Sequence, residues 1–87
     1  MKIYRIYDDE WGKIMGKKQV IEFMTDQILN NFCIEDLEDE YSDLYCYSSK
    51  FDKKIVKKIF ENKKITFKEA VKILSVRSYY IEEIEVY

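Results

Sequence analysis

Lys2-Ile3-Tyr4-Arg5-Ile6-Tyr7, followed directly by Asp8-Asp9-Glu10-Trp11-Gly12, is the stretch whose reading decides the fold. Lys2, Tyr4 and Ile6 alternate with Ile3, Arg5 and Tyr7, and β-formers dominate, so residues 2–7 are expected to form a strand. Asp8 to Gly12 is a turn, with Gly12 free to take positive φ. Residues 13–15 then return as a short second strand and complete a hairpin. At the other end, Tyr79 to Tyr87 alternates around Ile84 and Val86, which predicts a strand antiparallel to the first. Pairing the two ties both ends of the chain into a small sheet covered by helices on one face.

Between these strands the apolar spacing is helical. From Lys17 it runs through Val20, Ile21, Phe23, Met24, Ile28 and Leu29, with Asn30-Asn31 as the stop. Ile34, Leu37, Tyr41 and Leu44 recur at steps of three, four and three, which predicts a second helix with one narrow stripe. Ser49-Lys50-Phe51-Asp52 is a capping box opening a third helix, with Phe51, Ile55, Val56, Ile59 and Phe60 on its inner side. Asn62 breaks that helix, because asparagine tolerates the left-handed conformation. Thr66-Phe67-Lys68-Glu69 is a second box, opening a fourth helix that runs to about Ser75. The expected fold is a single α+β domain over residues 1–87, with a sheet of two to three strands and about four helices.

Composition narrows the function classes. The 87 residues are 47% hydrophobic and 37% charged, with two glycines, no proline and no histidine. A disordered chain lacks that much apolar material, and a turn-rich sandwich needs more Gly and Pro. The absence of histidine removes the commonest general base and the commonest metal ligand together. Two cysteines, Cys33 and Cys46, cannot complete a zinc site without histidine, and a catalytic cysteine also needs a partner base, usually histidine, to make a thiolate. They are expected to be reduced and buried in a cytoplasmic protein. No phosphate-cradling glycine loop or nucleophile elbow is present, so no catalytic residue, metal or cofactor is expected. No apolar run approaches the ~20 residues of a membrane span, and the first ten residues hold no apolar run of export-signal length.

Charge is distributed in blocks. Residues 19–49 carry eight acids and no base, whereas residues 50–77 carry ten bases against three acids. On the helix expected over 34–44, Asp36, Asp39, Glu40 and Asp43 share the side opposite the apolar stripe. That strip is one candidate surface, fit for a protein partner with a basic surface. Trp11, at the hairpin tip, is either folded back over the sheet or an interface anchor. The second candidate surface is basic: Lys53, Lys54, Lys57, Lys58, Lys68 and Lys72 lie on the two consecutive helices. Those helices have the layout of a helix-turn-helix that would contact nucleic-acid phosphates. A third reading has the basic and acidic helices pairing with each other, within a chain or between copies.

The opening KIYRIYDDEWGKIMGKKQVIEFM, residues 2–24, resembles the strand, Asp-rich turn with glycine, and helix that begin many small phage and mobile-element proteins of low-GC Gram-positive bacteria. That group includes anti-CRISPR proteins. The resemblance implies a non-enzymatic inhibitor that binds a host defence protein, such as a CRISPR effector, and blocks its basic nucleic-acid-binding surface. It carries over no functional residue.

Overall fold

In the computed structural model, which describes residues 1–42 and 50–86, β1 (Lys2–Tyr7) is the central strand of a three-stranded antiparallel sheet. β2 (Gly12–Met15) flanks it on one side and β3 (Tyr80–Glu85) on the other. Tyr4 stands opposite Met15 on β2 and Glu83 on β3, and Ile6 stands opposite Lys13 and Ile81. The predicted hairpin is therefore present, and its turn has a local cause. The Asp8 carboxylate accepts the backbone N–H groups of Glu10 and Trp11 at 2.9 and 2.7 Å, an arrangement that aspartate favours. Gly12 does not take the positive φ expected of it. It faces Tyr7 across the pair, and a Cβ there would sit 3.4 Å from the Tyr7 Cβ and 3.6 Å from the Arg5 Nε.

Strand alternation divides β1 into two sides. Tyr4 and Ile6 are buried under the helices at 4% and 0% exposure, whereas Ile3, Arg5 and Tyr7 point away from them. α1 (Lys17–Asn31) opens after Gly16, whose N–H donates to the Gln19 side chain at 2.9 Å. It buries Val20, Met24 and Ile28, four residues apart, as the spacing predicted. α2 (Lys50–Phe60) buries Ile55, Val56 and Ile59, and α3 (Phe67–Ile73) buries Ala70 and Ile73. These side chains meet Ile6 in one core. The fold is α+β, with three helices among the described residues where about four were expected.

Where a helix was expected over 34–44, the described part, up to residue 42, holds a 3-10 turn, Ile34–Leu37, and no α-helix. The Asp36 carboxylate accepts the Cys33 N–H at 2.7 Å, and the Asp39 carboxylate accepts the Tyr41 N–H at 3.0 Å. Short acidic side chains that bond nearby backbone compete with helix formation. The like charges Glu35–Asp39 and Asp36–Glu40 would also face each other at i,i+4 spacing on a helix. Tyr41, expected in the core, is 89% exposed, while Leu37 does pack against the core. Leu44 and the cap at Ser49 lie outside the described residues.

Both later helical segments end in the same device. Asn62 takes φ 60° as predicted, with Asn62 N–H bonded to Ile59 O and Lys63 N–H to Lys58 O, a Schellman ending. Ser78, also at φ 60°, repeats it after the 3-10 turn Leu74–Arg77, through Ser78 N–H to Ser75 O and Tyr79 N–H to Leu74 O. Serine has no special tolerance of that conformation, and glycine does. Ser78→Gly is expected to stabilise the protein by about 0.5–1 kcal/mol, the relief being partly offset by glycine's freedom when unfolded. Thermal unfolding followed by circular dichroism would register this as a melting temperature a few degrees higher.

Candidate protein-binding surface

Among the described residues no helix covers the second side of the sheet. Alternation and register place Ile3, Arg5 and Tyr7 of β1 there, with Ile14 beside Arg5 on one flank. Ile84, Glu82 and Tyr80 stand opposite the same three residues on the other flank. Ile14 is 56% exposed and Tyr80 59%. The rings of Tyr7 and Tyr80 lie 5.5 Å apart, and the Arg5 guanidinium stands 4.6 Å over Tyr7. Arg5 also pairs with Glu82 at 3.7 Å, with both side chains about half exposed. An exposed pair of that kind contributes little to stability. The face is thus a small apolar and aromatic patch with one cation and one anion, and exposed Asp9 and Glu10 lie at the adjoining hairpin tip.

Among the described residues the acids of the strip read from sequence do not share a helix. Asp36 and Asp39 are engaged with their own backbone, no helix carries Glu40 alongside them, and Asp43 lies outside the described residues. Lys58 pairs with Glu69, an acid of its own basic block, at 2.7 Å. Trp11 is folded back: its indole stacks on Phe23 of α1 at 5.3 Å and 9°, with Tyr79 at 5.8 Å, and it remains 40% exposed. Cys33 is exposed, contrary to the buried position expected, because it caps the 3-10 turn at the surface; Cys46 lies outside the described residues.

The basic residues divide. α2 and α3 pack side by side, as a helix-turn-helix layout requires, but α3 has only seven residues. Lys54, Lys57 and Lys68 are exposed and have no ion pair among the described residues. Lys58 is held by Glu69, Lys72 lies 4.3 Å over the Phe51 ring, and Lys53 is half-buried.

Glu69 closes the predicted box. It accepts the Thr66 N–H at 3.0 Å, while its own N–H donates to the Thr66 hydroxyl at 3.1 Å. The Lys58 ammonium first, and the Thr66 N–H second, hold its carboxyl below the ordinary value. Among the described residues no group of three or more His, Cys, Asp or Glu is placed to hold a metal. No helix among them is long and apolar enough to cross a membrane.

The open face was not singled out from sequence. Its signal was present in KIYRIY, where both alternating sets contain isoleucine and tyrosine, so one apolar side had to remain outside a single helical layer. Compared with known proteins, the chain matches no family model, no curated protein and no solved structure.

Proposed function

We propose that this chain is a non-enzymatic binding protein that engages another protein through the open sheet face, the partner presenting an apolar patch bordered by basic residues. The observation that supports this most is the pair Ile14 and Tyr80, each more than half exposed on the side of the sheet that no described helix covers. Contiguous exposed apolar surface rimmed by polar groups marks interaction sites, and tyrosine is favoured as an anchor. Asp9 and Glu10 at one end and Glu82 within the face match a basic border. Occupying a basic surface excludes nucleic acid from it. The resemblance to phage and mobile-element proteins therefore gives the binding an inhibitory sense, with a host defence protein such as a CRISPR effector as target.

Capture from host lysate by the wild type and by Ile14→Asp with Tyr80→Asp tests the reading. Both side chains are exposed, so the double variant should keep its fold by circular dichroism and lose the captured protein by at least about 100-fold, the scale of two interface anchors. Capture unchanged by the double variant would remove the sheet face from the proposal. The competing nucleic-acid reading is favoured by the unpaired Lys54, Lys57 and Lys68. It requires duplex binding at low salt that falls steeply as salt rises.

A further inference from the structure

The outer edge of β3 offers a second element of recognition, and its hydrogen-bonding pattern can be read residue by residue. Val86 N–H donates to Met1 O at 2.8 Å, and the Met1 ammonium donates to Val86 O at 3.2 Å, so these two residues exchange both bonds. In an antiparallel pair such residues alternate with pairs that share none. The register then makes Ile3–Ile84, Arg5–Glu82 and Tyr7–Tyr80 the bonded pairs between β1 and β3. Ile81, Glu83 and Glu85 consequently aim their backbone N–H and C=O groups outward, away from β1. Among the described residues no strand pairs with that edge.

Edges of this kind are normally defended by proline, lysine or a bulge. β3 has no proline or lysine; its defence is acidic, with Glu82, Glu83 and Glu85 on six residues. Their present partners, Arg5, Lys2 and the amino terminus, stand at 3.7, 3.4 and 3.7 Å on exposed side chains, so they neutralise the edge only weakly. Acids at these positions discriminate between occupants. A second copy pairing antiparallel along β3 must set Glu83 against its own counterpart. Sliding by one bonded step sets Glu82 against its counterpart in one direction, or Glu83 against Glu85 in the other. Like charges directly opposite destabilise a strand pair. A cationic strand meets no such penalty.

We propose that β3 accepts, along its open edge, an extended segment of the partner protein in which lysine or arginine stands opposite Glu82, Glu83 and Glu85 and apolar residues stand opposite Tyr80 and Ile84. The added strand extends the sheet and its open face together, so this mode of binding rests on the protein-binding function proposed above and names the chemistry of the partner. Main-chain bonds supply the attachment and the alternating side chains supply the selection.

The test uses an acetylated, amidated octapeptide, TKVKKVVT, titrated into 15N-labelled protein. The amide signals of Ile81, Glu83 and Glu85 should shift and exchange more slowly with solvent. Proline at position 83 removes an outward N–H and leaves the β1 ladder intact. Glu83→Pro should therefore weaken peptide binding about tenfold or more, a change of about 1.4 kcal/mol. If that variant does not fold, N-methylation of alternate peptide residues gives the same test on the wild type, with the same loss expected. The acidic peptide TEVEEVVT should not bind. Absence of edge shifts at millimolar TKVKKVVT, or equal binding of the acidic peptide, would overturn the proposal. So would a wild-type dimer in sedimentation that Glu83→Pro dissolves, since the occupant would then be a second copy. Loss of partner capture on Ile14→Asp with Tyr80→Asp, alongside a silent edge, would leave the sheet-face function standing and remove only the added strand.

Discussion

Trp11→Ala is expected to lower stability by about 2 kcal/mol while leaving partner capture intact once the protein is folded. The indole lies flat on Phe23 of α1 and within 5.8 Å of Tyr79, and Phe23 and Tyr79 are themselves in edge contact at 5.3 Å. Three rings therefore join the hairpin tip, the first helix and the approach to β3. Aromatic pairs contribute about 0.5–1.5 kcal/mol beyond the area they bury, and a fully buried tryptophan costs about 3–5 kcal/mol when truncated. At 40% exposure the indole is only partly buried, so the cost falls between the two ranges. Urea unfolding, with the slope unchanged and the midpoint lowered, checks the stability arm. Retained stability with lost capture would restore Trp11 as an interface anchor.

A second large effect belongs to Glu69, one carboxylate serving two partners. Glu69→Ala removes the bond to the Thr66 N–H, the Lys58 contact and an acid in the first turn of α3, and should cost about 1.5 kcal/mol. Glu69→Gln keeps an acceptor for Thr66 and loses only the charge, so its deficit is smaller and depends on pH. The folded carboxyl titrates below its ordinary value of 4.5, because Lys58 and the Thr66 N–H favour the charged form. Its stabilisation is therefore complete above that value and is lost as pH falls through the lowered folded value. Denaturation curves of the wild type and Glu69→Gln should differ at pH 7 and converge toward pH 3. A gap that stays constant over that range would mean that the Lys58 pair contributes nothing.

These contacts also show why some of the molecule was legible in the sequence and some was not. The Asp8 turn, the Asn62 ending and the Thr66–Glu69 box were readable because each depends on residues within a few positions of one another. Most of the apolar sets of α1 and α2 was readable because period decides which side is buried, but Leu29 and Phe51, also expected inside, lie near the helix ends and are about half exposed. The segment from Ile34 failed for a local reason that period does not register: its aspartates bind nearby backbone, and no lysine stands within the segment to break up its like charges along a helix. Pairings through space were beyond reach. Lys58 finds Glu69 eleven residues away, and Trp11 finds Phe23, only after the helices have docked. The candidate surface was the least legible feature. KIYRIY supplies two sides of nearly equal apolarity, and which one the helices cover is settled by the packing of Tyr4 and Ile6, not by the strand itself.

The most direct measurement is a covalent footprint of the protein, free and bound to the protein it captures, read by mass spectrometry at single residues. Three surfaces compete for that contact: the open sheet with Ile14 and Tyr80, the carboxylates Asp36, Asp39 and Glu40, and the lysines Lys54, Lys57 and Lys68. The predicted result is loss of labelling at Ile14 and Tyr80 on binding, with the other two groups unchanged. Protection of the carboxylates or the lysines, with Ile14 and Tyr80 labelled as in the free protein, would contradict it.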